Sequence, residues 1–220
     1  MAFHGVPIIE TSRKRAKEGL SLIRDAALYM IIGSLLMGTA VISLLPAAIS
    51  SSPLKTPAIL FSSIIAIVTV FIGAIIALLG VYIKLLPGAS SLADYSERYS
   101  TAASLIKIGY LWGLILIIIG IITLAVVIGA FFIIIGYILL FIGKIGLIIL
   151  VFKLNDEFSD SKFLIAGILF ILGIFVSLLD LIGWILVYIG AGEAIKRLEA
   201  TVEIPPPPAY RDKVIIHALF

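Results

Sequence analysis

Residues 108–142 read IGYLWGLILIIIGIITLAVVIGAFFIIIGYILLFI, without one charged side chain among them. A transmembrane helix needs about 20 apolar residues to cross roughly 30 Å of hydrocarbon. The stretch is too long for one such crossing and about right for two, joined by a tight turn near residues 127–129. It therefore predicts an all-α membrane protein in which these residues form the third and fourth transmembrane helices.

The composition of the whole chain also indicates a lipid environment. Of its 220 residues 62% are hydrophobic and 13% are charged, whereas a soluble domain carries roughly 25% charged residues. The net charge of +3 does not indicate a nucleic-acid partner, because the Lys and Arg residues flank the apolar runs, where they orient membrane proteins. We predict a protein integral to the cell membrane, in contact with lipid and with no nucleic acid.

Apolar blocks lie on both sides of the central stretch. Upstream, residues 26–49 and 58–83 each supply one span, and the Ser- and Pro-rich residues 50–57 form the turn between them. The fourth helix is expected to run to Phe152. A last apolar block, residues 163–189, follows a polar loop. The pattern predicts a polytopic helix bundle.

The entry to the third helix has its own signals. Pro87 and Gly88 are expected to break the chain after the second span, since proline removes a backbone donor. Ser91 and Asp94, three residues apart, resemble a capping box that opens a helix. This predicts a third helix that projects from the membrane before it enters near Leu105.

The number of crossings depends on residues 163–189, which form one overlong span or two short ones that turn near Asp180. Two crossings leave only Lys55, of the sixteen Lys and Arg residues, outside. One crossing would move the basic C-terminal residues outside, against the positive-inside rule. Residues 135–143 also match residues 182–190 at an offset of 47 positions, which suggests a second hairpin. We predict six transmembrane helices with both termini cytoplasmic.

The chain is thereby divided into a basic amphipathic N-terminal segment (1–25), a six-helix transmembrane domain (26–199) and a cytoplasmic proline-rich tail (200–220). Residues 11–25 are expected either to lie along the inner membrane surface as a helix or to form a solvated charge run. In the tail, Pro207, Pro208 and Tyr210 fit a Pro-Pro-x-Tyr pattern, which some aromatic-lined domains bind. A stiff polyproline spacer is the alternative.

Two stretches carry a resemblance to known proteins. Residues 182–198 read IGWILVYIGAGEAIKRL, and AKEGL at 16–20 precedes AALYMIIG at 26–33. Together they resemble a family of uncharacterised multi-pass integral membrane proteins of thermoacidophilic archaea, a domain of unknown function. The resemblance covers roughly residues 14–208. It implies an archaeal membrane location and carries over no functional residues.

Glycine recurs at seven-residue spacing, which is two helical turns and therefore one face of a helix. Such stripes let helix backbones approach closely in lipid, where packing drives association. They predict tight contacts within the chain or between subunits at eight helix-packing residues: Gly73, Gly80, Gly113, Gly120, Gly136, Gly143, Gly183 and Gly190.

Three ionisable residues lie within or at the ends of the apolar blocks, where charges are costly and count as functional candidates. The repeat places Lys144 and Glu193 at similar depth, so we predict a possible ion pair between the fourth and sixth helices. Alternatively, Lys144 snorkels to the headgroups and Glu193 pairs with Arg197 one turn along its own helix. Asp180 is predicted to be an acid in the outer turn.

Several function classes are disfavoured by what the chain lacks. It has no cysteine, and its two histidines lie near its ends, so we expect no metal, no cofactor and no catalytic site. The leading hypothesis is a non-catalytic structural, accessory or assembly subunit that associates with other membrane subunits or with itself, motivated by the glycine stripes. The alternative is a small-solute or ion transporter or channel, motivated by the repeated hairpins and the Lys144 and Glu193 pair.

Overall fold

The computed structural model describes residues 6–49, 56–124 and 128–200, and the side chains of residues 10–43, 61–124 and 128–200. This part of the chain is helical, with π-helical turns at Gly80–Leu85 and Lys107–Trp112 and a 3-10 turn at Glu97–Tyr99. The α-helices are α1 (Val6–Ile49), α2 (Thr56–Leu79), α3 (Leu86–Tyr95), α4 (Ser100–Ile106), α5 (Gly113–Ile122), α6 (Ile128–Phe158), α7 (Ser161–Leu172) and α8 (Ser177–Ala200).

Five helical stretches among the described residues are long and apolar enough to cross a membrane. They are Glu10–Ser43, Phe61–Tyr95, Glu97–Ile122, Ile128–Phe158 and Ser177–Ala200. Helix α7 has 12 residues, or about 18 Å at 1.5 Å per residue, against roughly 30 Å of hydrocarbon. The all-helical architecture is confirmed for the described residues, and α7 is shorter than the fifth span that the sequence predicts.

The basic N-terminal residues 11–25 are helical, but they do not form a separate surface helix. They belong to α1, which runs unbroken for 44 residues. Ala16, Leu20 and Ile23, spaced along one face, are fully buried. Because this apolar face packs inside the protein, it is not available to a membrane surface.

The predicted break at Pro87 and Gly88 is wrong, as is the capping box of Ser91 and Asp94. All four residues lie inside α3, which continues α2 through a π-helical turn. Pro87 lies just after the π-helical turn, where the Leu86 N–H bonds the Val81 carbonyl oxygen and the regular i→i−4 pattern is interrupted. The chain breaks instead at Ser96, whose backbone is extended.

The connection from α6 to α7 is shorter than predicted. Helix α6 continues past Phe152 to Phe158, and only Ser159 and Asp160 separate it from α7. Ser159 has a φ of 49°, the left-handed conformation that commonly follows a helix end. The tight link makes α7 run back antiparallel to α6.

The large buried side chains gather at one end of the molecule, which we call the charged end because most of the ion pairs lie there. Its fully buried members come from α1, α3, the 3-10 turn, α4, α6, α7 and α8 and include Leu20, Leu92, Tyr99, Leu150, Phe163 and Trp184. The remaining buried hydrophobic residues, Ala40 and Ala66, are small. The described helices therefore share one core at the charged end only.

At the opposite end, which we call the apolar end, the helices form two separate hairpins. Helix α1 packs on α2, and α5 packs on α6, in the most extensive helix pairings of the described chain. The hairpin of α7 and α8 turns at residues 173–176 and does not extend alongside them to the apolar end. A gap is therefore left between the two hairpins, with the α7–α8 turn at its base.

Candidate functional site

Lys144 stands near the middle of α6, about 24 Å along the helix from Ile128 and about 21 Å from Phe158. Its ammonium forms an ion pair with the carboxylate of Asp180 in the first turn of α8. The same ammonium lies 4.6 Å from the ring centroid of Phe170 on α7, a cation–π contact. Three helices thus hold one charged pair at mid-helix depth.

The Phe170 ring is fixed in turn by Trp184 of α8. The two ring centroids are 5.0 Å apart in an edge-on arrangement, and both side chains are almost completely buried. Since edge-on aromatic pairs are favourable, Trp184 helps to hold the Phe170 ring beside the Lys144 ammonium. The ion pair therefore rests on buried aromatic side chains that belong to the core of the charged end.

The pair borders a cavity of about 700 Å³ at the base of the gap between the hairpins. The side chains of Lys144 and Asp180 remain 18% and 27% exposed, so both groups can be reached from it. The cavity, called the Lys144 cavity below, is lined by Lys144, Gly173, Ser177, Leu178, Asp180 and Leu181 and, from α1, by Ser34, Leu35, Met37, Gly38, Thr39, Val41 and Ile42. It combines an apolar wall with one ion pair and three hydroxyls.

The pairing of Lys144 with Glu193 that the repeat predicts does not form. The repeat aligns α6 with α8 at an offset of 47 residues, but the Lys144–Asp180 contact joins residues 36 apart. The difference of 11 residues corresponds to about 17 Å along a helix. Because α7 is short, α8 is displaced by this distance towards the charged end. Glu193 therefore lies closer to the charged end than Lys144 does.

Glu193 pairs instead with Lys162 at the start of α7, at 2.7 Å between Oε2 and Nζ. The hydrogen bond that Lys162 donates to Glu193 raises the pKa of Lys162, and the Asp160 carboxylate raises it further against partial desolvation. The alternative partner, Arg197, donates to the Phe158 carbonyl oxygen at 2.8 Å. Glu193 thus belongs to a charge network at the surface of the charged end.

Asp180 lies close to the place that the sequence predicts, but it is not in the turn itself. The turn between α7 and α8 consists of residues 173–176, and their backbone N–H groups bond back to α7. Asp180 stands in the first turn of α8, where a negative charge is favoured by the helix dipole. Its carboxylate points to Lys144 rather than to bulk water.

All eight glycines named from the sequence lie against atoms of another helix. A Cβ at Gly73 would lie 2.9 Å from the Gly33 carbonyl oxygen, and one at Gly113 would lie 3.0 Å from that of Gly136. The others face side chains or backbone at similarly short range: Gly80 faces Tyr29, Gly120 faces Gly129, Gly136 faces Gly113, Gly143 faces Tyr110, Gly183 faces Phe170 and Gly190 faces Phe163. The stripes serve contacts within the chain.

Asp160 is a structural residue that the sequence analysis did not single out. It is 4% exposed and caps α7 by accepting a hydrogen bond from the Lys162 backbone N–H at 3.0 Å. Its second carboxylate oxygen lies 3.8 Å from the Arg197 guanidinium. A Ser-Asp pair directly before an apolar run was the available signal, since aspartate is a preferred N-cap.

We expect Asp160→Ala to destabilise the protein by about 1–2 kcal/mol, because the first turn of α7 loses its cap. Asp160→Asn should recover most of this loss, since an amide oxygen also accepts the capping bond. Thermal unfolding of the purified protein in detergent measures both. Equal losses for alanine and asparagine would show that the charge of Asp160 matters and its capping does not.

The Pro207, Pro208 and Tyr210 motif lies outside the described residues. Within those residues, no group of three His, Asp or Glu side chains could hold a metal ion. Comparison with family models matches residues 17–217, most of the chain, to the family described as "Protein of unknown function (DUF973)". No curated protein and no solved structure matches the chain.

Proposed function

We propose that this chain, which belongs to the DUF973 family, is a non-enzymatic transporter or channel that admits a small solute or ion through the Lys144 cavity. The observation that carries the proposal is the Lys144–Asp180 ion pair on the wall of that cavity. Charged residues inside membrane segments are rare, and where they occur they commonly line solute or ion pathways. Apolar side chains of similar volume could make a purely structural contact at this depth without the free-energy cost of desolvating two charges.

The short α7–α8 hairpin supports the proposal. Its turn carries Phe175 and the start of α8 carries Leu178, which are 84% and 62% exposed and too apolar to face water. We infer that the turn lies at hydrocarbon depth and that the hairpin enters and leaves on one side. Non-helical backbone at that depth is tolerated where it is buried in protein or lines a water-filled cavity, and Gly173 of this turn lines the Lys144 cavity.

Two π-helical turns give the apolar end a means of moving. One joins α2 to α3 and the other joins α4 to α5, and the Tyr82 hydroxyl bridges them by donating to the Tyr110 carbonyl oxygen at 2.7 Å. π-Helical turns occur frequently at functional sites. Because the core lies at the charged end, rotation at these turns would move the outer parts of α2 and α5 without disrupting it.

The orientation follows from charge. Most of the described Lys and Arg residues lie at the charged end, and basic residues favour the cytoplasmic side. The exceptions are Lys144 at the cavity and Lys107, which lies at a similar depth because its neighbour Gly109 packs against Gly143. We propose that the charged end and both termini are cytoplasmic and that the Lys144 cavity opens outwards. The α7–α8 hairpin returns to the side it came from, as the predicted fifth and sixth spans would, so either arrangement gives the same sidedness.

The accessory or assembly role expected from the sequence is the second proposal. The eight glycines that motivated it pack helices of this chain, so they no longer point to a partner. A different observation favours it, since Ser34 and Gly38 are small residues four apart that face the cavity, and a Cβ at Gly38 would meet nothing within 4 Å. Small residues at this spacing can receive a helix of another subunit.

Cysteine labelling separates the two proposals, because the chain has no cysteine of its own. We expect Ser177→Cys and Gly38→Cys to react with a charged, membrane-impermeant maleimide added to the outside of right-side-out vesicles. The reason is that a solute pathway must hold water, which carries the reagent in. The measured quantity is the labelling rate of each variant.

The matched control is Ile67→Cys on α2, whose side chain is 65% exposed on the protein surface and should face lipid. It should react at least ten times more slowly than Ser177→Cys. Thr11→Cys, at the charged end, should react only after the vesicles are opened. A Ser177→Cys rate no faster than that of Ile67→Cys would mean a dry cavity and would leave the accessory role as the better proposal.

A further inference from the structure

We propose that the Lys144 cavity binds a zwitterion with an apolar body: a molecule that carries an ammonium, a carboxylate or phosphate, and a short hydrocarbon group. This inference rests on the proposed solute site and names its ligand class. It is drawn from the charge of the cavity, the chemistry of its wall and its size. Each of the three restricts the ligand independently.

The charge balance of the cavity excludes a ligand with a net charge. Its lining contains one cation, Lys144, and one anion, Asp180, so the site is neutral before the ligand enters. An unpaired charge in a low-dielectric environment is strongly disfavoured. A single anion could satisfy Lys144 only by leaving Asp180 unpaired, and a single cation would do the reverse. A zwitterion satisfies both groups and keeps the site neutral.

The geometry allows this exchange of partners. The ammonium and the carboxylate stand side by side, and both are partly exposed towards the cavity. A ligand carboxylate or phosphate can approach Lys144, which stays in place above the Phe170 ring. The ligand ammonium can then approach Asp180 on the other helix. The two charges of the ligand would bridge α6 and α8 as the protein ion pair does in the free state.

The rest of the lining selects an apolar body. Six of the eleven remaining lining residues carry large apolar side chains: Leu35, Met37, Val41 and Ile42 on α1, and Leu178 and Leu181 on α8. Small-molecule sites typically measure about 300–1,000 Å³, and the Lys144 cavity, at about 700 Å³, lies in this range. The hydroxyl-bearing Ser34 and Ser177 line the same cavity and add hydrogen-bonding groups to its wall.

The test compares three probes that share one hydrocarbon group. L-Leucine is the zwitterion, 4-methylpentanoate lacks its ammonium, and 3-methylbutylamine lacks its carboxylate. With the full-length protein purified in detergent, we expect leucine to bind at least tenfold more tightly than either single ion in isothermal titration calorimetry. Equal binding of the three probes, or binding of none, would overturn the inference. This comparison needs no variant of the protein.

Two variants sharpen the test by unbalancing the site. Lys144→Met leaves Asp180 alone and should shift the preference by at least tenfold towards 3-methylbutylamine. Asp180→Asn leaves Lys144 alone and should shift it equally towards 4-methylpentanoate. Preferences that stay with leucine in both variants would place the binding elsewhere and overturn the assignment. Glu193→Gln, which changes a charge outside the cavity, should leave the order of the probes unchanged.

The same chemistry could come from a free solute or from a lipid headgroup. Leucine binding is therefore repeated in nanodiscs of phosphatidylglycerol alone and of phosphatidylglycerol with phosphatidylethanolamine. Inhibition of leucine binding by phosphatidylethanolamine identifies a zwitterionic headgroup as the source, and unaffected binding identifies a free solute. Both results support the ligand class. A cavity that cysteine labelling shows to be wet, but that fails to prefer leucine, would reject this inference and leave the proposed function standing.

Discussion

Lys144→Met lowers the free energy of unfolding by about 2–4 kcal/mol, and Asp180→Asn lowers it by a similar amount, because each change leaves one partner of an intramembrane pair without its counter-charge. The double variant should be more stable than either single variant, since it removes both charges together. The coupling energy expected from the double-mutant cycle is about 1–3 kcal/mol. Unfolding in mixed detergent micelles of increasing SDS content measures all four proteins.

The control for this cycle is Lys196→Met. Lys196 is an exposed lysine near the C-terminal end of α8, at the charged end, and its replacement should change stability by about 0.5 kcal/mol or less, as is usual for surface positions. Additive losses in the double variant would mean that Lys144 and Asp180 do not interact. The geometric basis of the proposed site would then be lost, whatever the labelling of the cavity showed.

Gly136→Leu should destabilise the protein by about 3 kcal/mol, because the α5–α6 contact has no room for a side chain. A Cβ at this position would lie 2.6 Å from Ile117 Cγ1 and 2.8 Å from the Gly113 carbonyl oxygen. The second of these atoms belongs to a backbone and cannot rotate away, so the two helices must separate. The measurement is the melting temperature in detergent.

Ile138→Leu is the matched control, since it changes α6 only two residues away. Its side chain is 56% exposed, and a swap of equal volume there should shift stability by about 0.5 kcal/mol or less. If Gly136→Leu melted at the same temperature as Ile138→Leu, the stripe would not hold α5 against α6. The hairpin would then depend on the turn and on the charged end alone.

The membrane class and the packing faces could be predicted because both are written locally in the sequence. The absence of charge from residues 108–142 predicts a lipid environment for the third and fourth helices. The seven-residue recurrence of Gly113 and Gly120 fixes a face by helical geometry, and in the structure both glycines lie against α6. Neither inference required knowledge of which helix comes next in space.

The depth of a helix could not be predicted in this way. The repeat that aligns Gly143 with Gly190 reports which face each helix presents, but it carries no information on how far α8 is displaced along α6. That displacement is set by the length of α7 and by the turn that begins at Gly173. The repeat therefore predicted the wrong partner for Lys144, because that partner depends on the axial position of α8 relative to α6.

The Lys144 cavity could not be predicted from the sequence for a related reason. Its walls come mainly from residues 34–42 of α1 and from residues 173–181 of the α7–α8 turn and α8, which lie far apart in the chain and carry no motif. The same applies to Ser91 and Asp94, whose local spacing suggests a cap. In the structure Asp94 pairs with Arg15 of α1 at 2.7 Å, a partner that only the tertiary fold supplies.

The brevity of α7 also bears on how the protein is made. The start of α7 lies beside the C-terminal half of α8 at the charged end, where Lys162 pairs with Glu193. A hairpin that begins and ends on the side of synthesis requires no hydrophilic segment to be carried through the bilayer. In the proposed topology, the hairpin could therefore insert after the four preceding membrane helices. The contact of Asp180 with Lys144 would then form last and complete the proposed site.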